Sequence, residues 1–191
     1  MISKTGILTL MVMGVTWVSC SREPITYPEE MPLDDYLTIS GFNENTVRII
    51  NSGHYEFGFQ FKPVVDGMIK ALRVKIPDNA TDVRITIWDA DSKEIIRTET
   101  IASVSKDAFV EQAITPVEMD QNHSYMITLN ADDWYIRKRM DETPAHYPIT
   151  CGNIMIEKHA STGGTRQTFP TLSSILYYAG DLDFVFQQTA P

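Results

Sequence analysis

The chain has 191 residues, 43% of them hydrophobic, with 16 Lys and Arg against 25 Asp and Glu, for a formal net charge of −9. That balance argues against nucleic acid as a partner, because such binding is driven by cations that neutralise phosphates. Arg137, Lys138 and Arg139 form a basic run too short to reverse it, and the two cysteines are too few for a disulfide framework.

At the start of the chain, Lys4 precedes an apolar run from Gly6 to Val18, followed by Ser19 and Cys20. A span of about 13 apolar residues is shorter than the roughly 18 or more a membrane crossing needs, so residues 1–19 read as a cleaved secretory signal. The motif resembles a bacterial lipobox, with Cys20 as the lipidated first mature residue and Trp17 in place of the usual Leu or Val. Loss of Lys4 with the leader changes the net charge from −9 to −10. Residues 20–45, rich in Pro24, Pro28, Pro32 and acids, are expected to form an extended tether to a β domain over residues 46–191.

Within that domain, Val47 to Ile50 reads as a short strand. Tyr55, Phe57, Phe59 and Phe61 then alternate with Glu56, Gly58, Gln60 and Lys62, the period of a strand with one aromatic core face. A strand over Met68 to Ile76 follows. Val83, Ile85 and Ile87 alternate with Arg84, Thr86 and Trp88 until Asp89 to Lys93 supply turn chemistry, and Ile95 and Ile96 resume the apolar run, which is the pattern of a hairpin. Further strands are expected over Phe109 to Ile114, at Tyr125, Ile127 and Leu129, at Ile154 to Ile156, and from Ile175 to Gln187. Asp132 to Thr150 reads as a long excursion and Ala160 to Phe169 as a flexible loop. No stretch shows a helical period. The spacing predicts an all-β fold, an antiparallel β-sandwich of jelly-roll or immunoglobulin-like type, in a single domain.

The order of four segments, FGFQFKPVVDGMIKALRV, ITIWDADSKEIIRTET, FVEQAITPVEMDQNHSYMITL and SILYYAGDLDFVF, resembles an uncharacterised bacterial β-sandwich domain, a domain of unknown function found in secreted and surface proteins. Members often carry Gly-Trp where this chain has Ala108-Phe109. The resemblance implies a sandwich fold and an accessory role beside carbohydrate-active or adhesive modules, and it transfers no catalytic residue.

The chemistry-bearing residues are scattered. His54, His123, His146 and His159 are isolated in sequence and Cys151 has no Cys partner, so no zinc site or other cofactor is expected. Asp89, Asp91, Asp181 and Asp183 lie near turns and suit calcium in ligand type, but read more simply as solvated acids. Cys151 with His146 is the one pair resembling a dyad, and no nucleophile elbow is present, so a hydrolase is the weakest reading and no catalytic residue is assigned. Trp134, Tyr135, Tyr147, Tyr177 and Tyr178 fall in or beside loops and are the ligand-binding candidates, as aromatic platforms for a glycan or a protein. The expected protein is therefore a non-catalytic module held by lipid on a membrane, at the outer membrane of a Gram-negative envelope. The alternative is a structural or assembly component of an envelope complex, favoured if those rings are buried.

Overall fold

The computed structural model describes residues 26–189, so the expected leader, Cys20 and the first residues of the tether lie outside the described residues. In chain order the elements are β1 (Glu29–Glu30), α1 (Pro32–Ser40), β2 (Asn45–Ile49), β3 (Tyr55–Pro63), β4 (Gly67–Lys75), β5 (Ala80–Asp89) and β6 (Ile95–Val104). There follow β7 (Val110–Met119), β8 (Tyr125–Ala131), β9 (Trp134–Lys138), β10 (Ile149–Cys151), β11 (Ile154–Gly163), β12 (Leu172–Ser174), β13 (Tyr178–Ala179) and β14 (Asp181–Gln188).

The expected antiparallel β-sandwich is what the chain forms. A seven-stranded sheet runs β10-β11-β3-β8-β5-β6, with β12 also on β11, and faces a four-stranded sheet, β1-β14-β4-β7. Alternation explains the core: Phe57, Phe59 and Phe61 from β3, Ile85 and Ile87 from β5, and Ile127 and Leu129 from β8 meet Leu72, Val74, Leu182, Phe184 and Phe186 from the other sheet. The Phe184 ring lies 4.9 Å from Phe61 and 6.0 Å from Phe59, joining the two layers. Such an aromatic pair contributes about 0.5–1.5 kcal/mol beyond the area it buries. At Gly58 the backbones of β3 and β8 approach so closely that a Cβ would sit 1.9 Å from the Ile127 carbonyl oxygen, which explains the absence of a side chain there.

Four expectations are corrected. The tether reading fails for residues 29–45, where β1 pairs with β14 and α1 packs into the core. Pro32 at the first helical turn and Asp34 and Asp35 beside it favour helix initiation, and Gly41, with φ 76°, ends the helix by donating its N–H to the Thr38 carbonyl. Leu33, Tyr36, Leu37 and Ser40 are buried at helical spacing, so a helical period was present over nine residues. Tyr36 reaches Phe59 and Tyr178, and the Leu33 N–H donates to Asp183 Oδ1 at 3.2 Å, so α1 plugs one end of the sandwich between both sheets.

Second, β7 continues through Pro116 instead of ending before it. As the outer strand of its sheet, β7 has one side free of ladder partners among the described residues, which is where proline is tolerated. Third, the expected loop over Ala160 to Phe169 begins as the end of β11 and then straps the outer face of the large sheet. Arg84 donates to the Thr165 carbonyl at 3.0 Å, Gln167 to Thr86 Oγ1 and Thr98 Oγ1 at 2.9 and 2.7 Å, and Phe169 packs edge-on to Trp88. Beneath the strap, Glu56 accepts from Arg84 at 2.7 Å and from Thr128 at 2.5 Å, while the Trp88 indole donates to Thr128 at 3.0 Å. Fourth, the excursion over Asp132 to Thr150 contains a strand, β9, which pairs with β2 and β13 to make a small third sheet. Gly180, with φ 86°, breaks the expected closing strand into β13 and β14, so one segment serves two sheets.

Candidate functional site

The small sheet has two chemically different faces. Its register sets Val47 opposite Ile136 and Ile136 opposite Ala179, an apolar row across all three strands. Side chains alternate, so Arg48, Tyr135 and Arg137 point the other way. Over the apolar face runs the segment before β13, which leaves Ile175 and Leu176 about half exposed and Tyr177 36% exposed.

The result is a groove divided by Tyr177. On one side a cavity of about 390 Å³ is lined by Val47, Ile136 and Leu176, with the Lys138–Glu142 ion pair at 2.9 Å on its rim. On the other side a cavity of about 180 Å³ reaches Tyr55, Trp134 and Ser161. Ile136 and Tyr177 belong to both, so the two form one continuous apolar surface. Along its border lies β2, which pairs only with β9 among the described residues and keeps Thr46, Val47 and Arg48 exposed. An apolar groove beside an unpaired strand edge presents both side-chain pockets and free main-chain donors and acceptors.

Tyr177 is backed by a buried histidine. The His159 ring lies 5.6 Å from Tyr177 and 5.5 Å from Tyr178, its Nε2 accepts the Ala179 N–H at 3.3 Å, and Nδ1 has no partner. Burial pushes its pKa down to about 3, so the imidazole is neutral, with its proton on Nδ1.

The five aromatic candidates do not share a cleft. Trp134 is 8% exposed, its ring 5.2 Å from Tyr55 and 5.4 Å from Phe57, so it forms the groove floor. Tyr135 is buried on the opposite face of β9, where its hydroxyl donates to Asp107 and burial pushes its pKa up to about 12. Tyr147 is half-buried, its hydroxyl bonded to that of Tyr36. Tyr178 is fully buried and donates to the Leu182 carbonyl at 3.2 Å. Tyr177 alone of the five stands exposed at the groove. Alternation along β9 separates Trp134 from Tyr135, and α1 covers Tyr178 and part of Tyr147, so of the five candidates for exposed aromatic platforms these four are withdrawn from the surface to differing degrees. Val47, Ile136 and Leu176 went unrecognised, though the run Ile175, Leu176, Tyr177 ahead of a strand was a signal of unburied apolar surface.

Other candidate chemistry is occupied by the fold. Asp89 Oδ1 accepts the Asp91 and Ser92 N–H groups and shapes the hairpin turn, while Oδ2 meets His123 at 2.6 Å. Asp181 and Asp183 are buried against Arg137 and Arg73. Cys151 is buried among core residues, and its thiol is pushed up to about 12 by desolvation, which opposes a reactive thiolate. Among the described residues no three His, Cys, Asp or Glu side chains converge as metal ligands. No protein-family model matches the chain, and no curated protein matches it in sequence.

Proposed function

We propose that the protein is a non-catalytic, lipid-anchored envelope module that holds a partner protein by strand addition to β2, with an apolar side chain of the partner seated beside Tyr177. The observation that supports this reading is the continuity of a free strand edge with an apolar groove. In that recognition mode main-chain hydrogen bonds supply affinity and pockets at alternate positions supply specificity. The aliphatic lining of Val47, Ile136 and Leu176 favours a protein side chain over a sugar at this face, because sugar hydroxyls find few hydrogen-bonding partners there. Cys20 supplies the anchor: each buried CH₂ of its acyl chains contributes about 0.8 kcal/mol, and two or more chains give stable attachment, at the outer membrane on this reading. The alternative, a structural or assembly component of an envelope complex, stands beside it and is supported by the burial of Trp134, Tyr135 and Tyr178.

A photo-crosslinking residue at position 176 of the lipidated protein in native envelopes tests it, with position 96 on the exposed part of β6 as control. The expected result is one discrete protein adduct at position 176, none at 96, and loss of the adduct on Tyr177→Asp. A folded protein that yields no adduct at 176, or the same adducts at both positions, overturns the reading.

A further inference from the structure

The polar face of the small sheet borders a second cavity. It has a volume of about 320 Å³ and is lined by Asp34 and Thr38 of α1, Asn43, Lys75 of β4, Phe109 and Arg137, with Asp181 at its base. Its two cations, Lys75 and Arg137, and two carboxylates, Asp34 and Asp181, balance in number but are unequally paired. Asp181 lies opposite Lys75 in the β4–β14 register, yet both of its oxygens are taken by Arg137, whose Nε donates at 2.9 Å. Arg137 is fixed further by donating to Thr46 Oγ1 at 2.7 Å. Arg73, the next cation along β4, is held by Asp183 at 2.8 Å and Glu111 at 3.3 Å.

Lys75 is left over. Its ammonium meets no carboxylate among the described residues and instead lies 5.7 Å from the Phe109 ring centroid and 5.5 Å from that of Tyr135. It is half-buried and makes no close ion pair among the described residues, so its N–H donors are free for a ligand anion. Around it stand neutral and acidic hydrogen-bonding groups: the exposed carboxylate of Asp34, and Asn43, whose amide lies 3.5 Å from Thr38 Oγ1. Phe109 is 38% exposed and offers apolar surface at the mouth.

We infer that this cavity binds a sugar ring bearing one carboxylate, a uronic acid. The carboxylate pairs with Lys75, ring hydroxyls bond Asp34, Thr38 and Asn43, and the C–H side of the ring lies on Phe109. The volume is at the low end of the roughly 300–1,000 Å³ of small-molecule sites and accommodates one ring. Asp34 discriminates between anions: it accepts bonds from hydroxyl groups and repels a dianionic phosphate, which carries more charge and no hydroxyl-rich face. This site stands apart from the groove at Tyr177 and adds a glycan contact to a protein-binding module.

The test uses the detergent-solubilised mature lipoprotein and saturation-transfer difference NMR. The probes are short oligomers of glucuronate, galacturonate and mannuronate, their neutral hexose counterparts, and inorganic phosphate as competitor. At least one uronate series is expected to bind at least tenfold more tightly than its neutral counterpart, to weaken at least tenfold on Lys75→Gln or Phe109→Ala, and to resist displacement by phosphate. Both variants are checked by near-UV circular dichroism, and Lys75→Arg is expected to restore binding in part. Absence of binding by every uronate, equal binding of neutral sugars, competition by phosphate, or unchanged affinity in a folded Lys75→Gln variant overturns the inference. The groove proposal is unaffected by each of these outcomes.

Discussion

Glu56→Ala is expected to destabilise the fold by about 2–4 kcal/mol, because it removes a fully buried carboxylate that accepts from Thr128 and from the partly exposed Arg84 guanidinium. Glu56 is fully buried, and its two oxygens are shared between Arg84 and Thr128, which in turn accepts the Trp88 indole N–H. Arg84 also ties the strap over residues 164–171 to the sheet through the Thr165 carbonyl. Loss of the carboxylate therefore loosens one of the ties of the strap, which Gln167 and the Phe169–Trp88 contact still hold over Met126. Glu56→Gln, which keeps acceptor and shape but removes the charge, is expected to cost about 1–3 kcal/mol. Urea unfolding followed by Trp fluorescence measures both. If the alanine variant is within 1 kcal/mol of the parent, the network is not a principal support of that face.

The second large effect is a pH dependence written by His159. Its folded pKa of about 3 lies far below the ordinary value of 6.5, and desolvation is the cause. Between these values the unfolded chain takes up a proton that the folded chain refuses, so this contribution is complete above about pH 6.5 and is lost as pH falls towards 3. At pH 4.5 the loss amounts to about 2–3 kcal/mol. Asp183 works in the opposite sense: burial raises its pKa to about 6 from 3.8, so its protonation favours the folded state as pH falls through that window. His159→Gln keeps an acceptor for the Ala179 N–H and cannot titrate. It is expected to unfold more easily than the parent at pH 7.5 and to close that gap by about 2–3 kcal/mol at pH 4.5. A gap that does not change with pH would show that His159 is not the titrating group.

Much of the fold was legible where one face of a strand is buried and its ends carry turn residues. The β5–β6 hairpin is announced by Val83, Ile85 and Ile87 and closed by the Asp89 turn, and β3 by its four aromatics. α1 was hidden because its nine residues sit in a proline-rich and acidic stretch whose composition argues for an extended chain, and the stabilising signal is tertiary, in Tyr36 and Leu33. β9 was hidden because both of its faces are used. Trp134 goes to the groove floor and Tyr135 to Asp107, so an aromatic residue on each face masks the alternation of apolar and polar sides. The candidate site was legible only at Tyr177, because the groove joins Val47, Ile136 and Leu176 from segments far apart in the chain, each an ordinary strand or loop residue by itself. Whether a ring beside a loop is exposed depends on what packs over it, and α1 decided that for Tyr178.

The direct test of strand capture is amide hydrogen exchange over Asn45–Ile49, compared between the protein in native envelopes and the same protein purified to homogeneity in detergent. Exchange at β2 slowed in the envelope, with β6 unchanged, is the predicted result, since an added strand protects the edge it pairs with. Equal rates at β2 in the two preparations would contradict the account.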